Sequence, residues 1–175
     1  KFQHGDLYFW TDSVNHGSEP WILPLASLEQ DTYEPNDSFQ EATDLQTLES
    51  TGSINNLTIH EASDIDVFRF DITQNANESH FVAIDLWNSQ AGDLDLELYR
   101  LHNGMEQLID ASASVSSRES ISMRDLSAGS YYIKVVSFDG RTNGYDLSWN
   151  LPINSLLPDE FEPGNIVGTF VDGYF

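Results

Sequence analysis

Residues 93–101 read DLDLELYRL, an unbroken alternation in which Leu94, Leu96 and Leu98 fall on one side of an extended chain and Asp93, Asp95 and Glu97 on the other. A helix would scatter the three leucines around its circumference, whereas a strand with one dry and one wet face keeps them together. The same period of two returns in DVFRFDI, which aligns Phe68, Phe70 and Ile72 against Arg69 and Asp71, and in HFVAIDLWN, which aligns Val82, Ile84 and Leu86. EQLIDAS, ESISMRDL, SYYIKVVSF and YDLSWNL follow, punctuated by HNG, SAGS and DGRTNG. Seven or eight short strands at such even spacing predict an all-β fold, an antiparallel two-sheet sandwich in which the alternating apolar faces bury one another.

The rest of the chain divides around this block. Residues 1–30 are aromatic-rich, and Leu7, Phe9, Trp21 and Ile22 predict two short strands around a turn. Residues 31–151 hold the sandwich. SFQEATDLQTL is expected to form a short helix or a loop with one turn, with Ser38 as its cap and Glu41 three residues on. Residues 152–175 read as a linker followed by one more strand, IVGTFVDGYF, in a jelly-roll-like architecture with extensions at both ends.

Of 175 residues, 29 are acidic and 7 basic, for a formal net charge of −22. Such a field repels nucleic acid and anionic membranes and favours cations. No stretch reaches the ~18 apolar residues of a membrane span. The absence of cysteine excludes disulfides, thiolate metal sites and cysteine nucleophiles. The first residues show no signal peptide, which fits either a cytosolic protein or a mature or excised piece.

Acids crowd most tightly in DTYEPNDSF, where Asp31, Glu34, Asn36 and Asp37 place four oxygen-bearing side chains within seven positions around Pro35. Carboxylates and an amide carbonyl at close offsets suit a hard cation, and calcium, with six to eight oxygens in irregular loops, suits them better than magnesium. Further ligands must come from elsewhere. Asp64 and Asp66, at i and i+2 before a core strand, can face one ion together. The alternative is a solvated acidic loop with Asp37 as a helix cap. A related string, DEFEPGN, recurs at residues 159–165 and offers Asp159, Glu162 and Asn165 to a second site.

In order and spacing, DTYEPNDSFQEATDL, DIDVFRFDI, GDLDLELY and LSAGSYYIKVVSFDGRTNGYDLSW resemble the bacterial pre-peptidase C-terminal domain, a secreted β-sandwich module similar to the collagen-binding domains of clostridial collagenases. The YEPND opening and the L-x-A-G-x-Y-Y-I-K-V run at Leu126–Val135 carry most of the likeness. The resemblance implies calcium held by Glu34, Asn36, Asp37, Asp64 and Asp66. This chain departs from the pattern at Thr32, where those modules tend to have a further acid.

Nothing marks a catalytic centre: G-x-S-x-G and H-E-x-x-H are missing, and His4, His16, His60, His80 and His102 are scattered and read as surface or edge residues. The expectation is a non-catalytic calcium-binding module of a secreted or cell-surface bacterial protein. It would adhere to an extracellular polymer, a polysaccharide or protein fibre, through aromatics among Trp87, Tyr99 and Tyr132. The alternative is a structural subunit of a filament or repeat protein that binds copies of itself by strand addition, with calcium at the junction and Phe170 at the contact.

Overall fold

β-Branched and aromatic residues in alternation leave the backbone few options beyond the pleated strand. The computed structural model describes residues 28–151, together with the backbone of two strands before them, and contains strands and turns but no helix among these residues. The two leading strands, β1 (Leu7–Ser13) and β2 (Gly17–Leu23), pair antiparallel with Phe9 opposite Trp21. The second acidic turn, with Asp159, Glu162 and Asn165, and the final strand with Phe170 lie outside the described residues.

Nine further strands follow: β3 (Thr43–Thr47), β4 (Thr51–Ile59), β5 (Ile65–Ile72), β6 (Phe81–Leu86), β7 (Leu94–His102), β8 (Met105–Ser112), β9 (Arg118–Ser122), β10 (Gly129–Ser137) and β11 (Asn143–Asn150). They form a five-stranded sheet, β3-β5-β10-β7-β8, and a four-stranded sheet, β4-β11-β6-β9. Every pairing is antiparallel except β3 with β5. This is the expected all-β two-sheet sandwich.

In β5, β6 and β7 the inward face is the one the alternation predicts. Leu94, Leu96 and Leu98 are fully buried, and so are Phe68, Phe70, Val82, Ile84, Ile133, Tyr145 and Leu147 from the neighbouring strands. Each such side chain contributes about 1.5–3 kcal/mol by leaving water. The opposite face of β7 is only half wet, because Glu97 accepts from Tyr99 Oη (2.9 Å) and meets Lys134 Nζ (3.2 Å).

Two strands, β3 and β4, were not in the sequence expectation, although the loop with one turn ahead of β3 was. SFQEATDLQTL makes a single turn and then becomes β3. Ser38 does bond Glu41 (Oγ to Oε2, 2.8 Å), but Thr43 and Asp44 then pair beside Phe68 and Arg69 on the edge of β5. Strand β4 was not legible because a bulge breaks its period. Leu147 pairs with Ile54 and Tyr145 with Leu57, so three residues of β4 span two of β11, and Asn56 takes φ 66°. The bulge lets Ile54 and then Leu57 and Ile59 all turn inward.

Candidate metal centre

The acidic turn is tied to the start of β5 and the end of β4 by its own acids. Asp31 accepts from Tyr33 N (2.8 Å) through Oδ1 and from Thr58 N (2.9 Å) through Oδ2. Thr58 Oγ1 donates to the carbonyl of Glu29 (2.9 Å). Asp37, exposed, accepts from Ile65 N (3.2 Å), and Val67 N donates to the carbonyl of Asn36 (2.9 Å). The Glu34–Pro35 peptide is cis. Asp31 is thereby a staple with both oxygens engaged, and Asp37 pins the strand that carries Asp64 and Asp66.

Inside this frame the remaining acids are buried and incompletely bonded. Asn36 is fully buried, and neither its side-chain Oδ1 nor Nδ2 has a partner. Glu34 takes Asn36 N through Oε2 (3.3 Å), which leaves Oε1 buried and without a hydrogen bond, 3.5 Å from His60 Nδ1. Asp64 uses Oδ2 for His60 N (2.6 Å) and His60 Nδ1 (2.5 Å), and its Oδ1 has no partner. Asp66, fully buried, accepts from Tyr145 Oη at 2.5 Å through Oδ2, and its Oδ1 has none. Of six buried polar side-chain atoms without a partner among the described residues, five belong to Glu34, Asn36, Asp64 and Asp66.

An orphaned buried polar group costs about 1–3 kcal/mol, and more when charged. The strain shows in the titration of these acids. Burial pushes the Asp66 carboxyl up to about 8, and the charges of Asp64, Asp31 and Glu34 add to it, although the Tyr145 hydroxyl opposes them. Burial and Asp64 raise Glu34 to about 7 against the hydrogen bond from Asn36 N. Tyr145, buried against Asp66, is pushed well above its ordinary value and so keeps the proton it donates. A cation among these oxygens would supply the counter-charge that the protein does not.

Two members of the site were not singled out by sequence reasoning. His60, expected at the surface, is half-buried, and one atom each of Glu34, His60 and Asp64 lie within 4.8 Å of one another. Its spacing of four from Asp64, just ahead of the acid pair, was the available signal. Tyr145, 79 residues beyond Asp66, gave none beyond its inward position in YDLSW. His60 opens the set to a nitrogen-preferring metal such as zinc. The atoms without partners, however, are mainly oxygens, and His60 Nδ1 is already held by Asp64. The donor set therefore fits a hard cation better.

The aromatic candidates separate. Trp87 is 48% exposed. Tyr99 is half-buried and bonded to Glu97. Tyr132, expected to contact a polymer, is instead buried: Phe39, descending from the acidic turn, packs on it at 5.3 Å and on Tyr99 at 5.1 Å. His80 is also buried rather than superficial, with Nδ1 facing Asn77 N at 3.4 Å.

No protein-family model and no curated protein matches the chain. Among solved structures it is similar to the pre-peptidase C-terminal domain of collagenase from Bacillus anthracis, at 18% identity and a TM-score of 0.42 over 62% of this chain and 94% of that one. It is also similar to PliG, a periplasmic inhibitor of g-type lysozyme from Aeromonas hydrophila (10%, TM-score 0.40, 62% and 96%). A third is the mitogen derived from Yersinia pseudotuberculosis (13%, TM-score 0.42, 64% and 94%). All three scores are low, so the class of this protein is set by its own sheets and side chains: a two-sheet β-sandwich with a buried acidic centre at one end.

Proposed function

We propose that the chain is a non-catalytic, calcium-binding β-sandwich module of a secreted or cell-surface bacterial protein that adheres to an extracellular polymer. The observation that carries the calcium reading is the set of unpartnered buried oxygens on Glu34, Asn36, Asp64 and Asp66. These four residues would hold the ion, with Asp31 and Asp37 fixing the turn around them. When bound, calcium supplies positive charge and oxygen coordination, which ties the turn to β5 and relieves the mutual repulsion of the acids.

The adhesion reading is supported by Trp87. Its ring lies against Gly144, where a Cβ would come within 2.1 Å of a ring carbon, and its Nε1 donates to Asp146 (3.4 Å). Half of the side chain still faces solvent. The ring is therefore oriented before any ligand arrives, which lowers the cost of stacking a sugar or a prolyl ring on it. Gly144 seats Trp87 and the next residue, Tyr145, reaches Asp66, so β11 links this surface to the metal centre.

Calorimetric titration with calcium chloride tests the ion, and sedimentation with insoluble polysaccharides and collagen-like fibres, in calcium and in EDTA, tests adhesion. Calcium heat without co-sedimentation would leave the ion and remove the polymer. Neither signal would remove both.

One observation favours the second reading, assembly with copies of itself. Strand β8 is one edge of the five-stranded sheet, unpaired on its outer side among the described residues, and Met105, Leu108 and Ile109 on it are 68%, 50% and 37% exposed. An unpaired apolar edge is a template for strand addition. Light scattering of the full chain with and without calcium separates this from adhesion, because only assembly raises the mass of the protein alone.

A further inference from the structure

In a chain with 29 acids and 7 bases, a cation without an acid needs a reason. Among the described residues, Arg69 meets Asp44 and Asp71, Arg118 meets Asp85, Arg124 meets Asp125, Lys134 meets Glu97, and Arg141 meets Asp139. Arg100 is the one described lysine or arginine outside these pairs. It is held instead by uncharged groups. Its guanidinium carbon lies 5.7 Å from the centre of the Tyr131 ring, and Nη2 lies 3.4 Å from where a Cβ on Gly129 would stand. Tyr131 is a firm base: it is buried, stacked on Phe70 at 5.9 Å, and donates its hydroxyl to the carbonyl of Ser127 (2.7 Å).

Arg100 lines a cleft of about 360 Å³ between the β7–β8 hairpin and the turn that joins β9 to β10. Leu108, Ile109 and Leu126 give it an apolar wall, and Gln107 and Asp125 give it polar groups. It lies at the far end of β5 and β10 from the metal centre, since β10 places Tyr131 beside Phe70 but Val135 beside Asp66.

We propose that this cleft binds a sugar bearing a single carboxylate, a uronic acid residue. A guanidinium backed by an aromatic face keeps its planar fork of donors for a carboxylate, which it grips through two parallel hydrogen bonds. The apolar wall suits the C–H face of a pyranose ring, and Asp125 and Gln107 suit its hydroxyls. Asp125 also selects against more highly charged partners, as does the net charge of −22. One carboxylate with several hydroxyl donors satisfies both Arg100 and Asp125 while the C–H face of the ring covers Leu108, Ile109 and Leu126. The inference deepens the polymer reading by naming an acidic sugar, but it does not depend on calcium.

The test is an NMR titration of the full chain with glucuronate, in EDTA and in calcium, with glucose and an acidic dipeptide as comparisons. Saturable shifts of the Arg100 Nε–H and the Leu108 and Leu126 methyl groups with glucuronate are expected in both buffers, and none with glucose. Arg100→Ala should weaken binding about tenfold or more. Arg100→Lys, which keeps the charge but loses the fork, should weaken it too, and Arg141→Ala, whose partner Asp139 lies outside the cleft, should not. Equal response to glucose, tighter binding of the dipeptide, or unchanged affinity in both Arg100 variants would overturn the proposal. Sugar binding in EDTA alongside a failed calcium titration would sink the metal reading and leave the cleft.

Discussion

Tyr145 donates its hydroxyl to Asp66 at 2.5 Å across the interior, joining the first residues of β11 to the first residues of β5. The contact is fully buried on both sides and is the only protein hydrogen bond to the Asp66 carboxyl among the described residues. Tyr145→Phe leaves both oxygens of Asp66 unpartnered. The expected loss is about 1–3 kcal/mol in urea denaturation, larger in EDTA than in calcium, where the ion still compensates the charge. No loss in EDTA would mean that Asp66 is not held as described.

The raised acids set the pH dependence. Asp66 moves from 3.8 up to about 8 and Glu34 from 4.5 up to about 7, so between these limits the folded chain binds more protons than the unfolded one. Stability from these groups is therefore full below about pH 4 and falls as pH rises through 7 to 8. In EDTA the melting temperature should drop between pH 5 and 8 by way of these two groups. Calcium competes with the same protons, so its affinity should rise over that window and its binding should release protons. Calorimetry in buffers of different ionisation enthalpy reads the release.

Calcium at about a hundredfold excess over its Kd should add ~2.7 kcal/mol to the folding free energy. Asp66→Asn, and Asp37→Ala combined with Asp66→Ala, should abolish that gain, while Asp93→Asn should keep it. Thermal melts in millimolar calcium and in EDTA decide the matter, and superimposable curves would remove the site. Magnesium should substitute poorly, because it demands stricter geometry.

Leu96 and Glu97 are chain neighbours on opposite faces of β7. Leu96→Ala should cost about 2–5 kcal/mol, the range for a buried leucine. Glu97→Ala loses a partly exposed pair with Lys134 and should cost about 1 kcal/mol or less. Chemical denaturation of the two variants should differ accordingly.

Two glycines lie under tryptophans. A Cβ at Gly52 would fall 2.5 Å from Trp149, which packs against the core, so Gly52→Ala should cost about 1–3 kcal/mol. Gly144→Ala meets the half-exposed Trp87 instead, which can swing into solvent. Its melting temperature should change less, its tryptophan fluorescence should shift to the red, and polymer binding through Trp87 should weaken.

The sequence by itself determined the elements whose signal is local. The period of two in β5, β6 and β7 needs no knowledge of neighbours, because side chains of any strand alternate between faces, and the sandwich followed from that pattern. The acidic turn was legible for the same reason, since Glu34, Asn36 and Asp37 lie within four positions. Tertiary structure decided everything that depended on which strands meet. The β4 bulge arises from pairing with β11, so it hid Leu57 and Ile59 from a reading of period. Phe39 buries Tyr132 because the turn folds back over the outer sheet face. Tyr145 joins the acidic centre, and Arg100 stays out of every ion pair among the described residues, through the order of strands. Alternation fixes which face a side chain takes; topology alone brings residues 79 positions apart into contact, and the chemistry of this centre lies in those contacts.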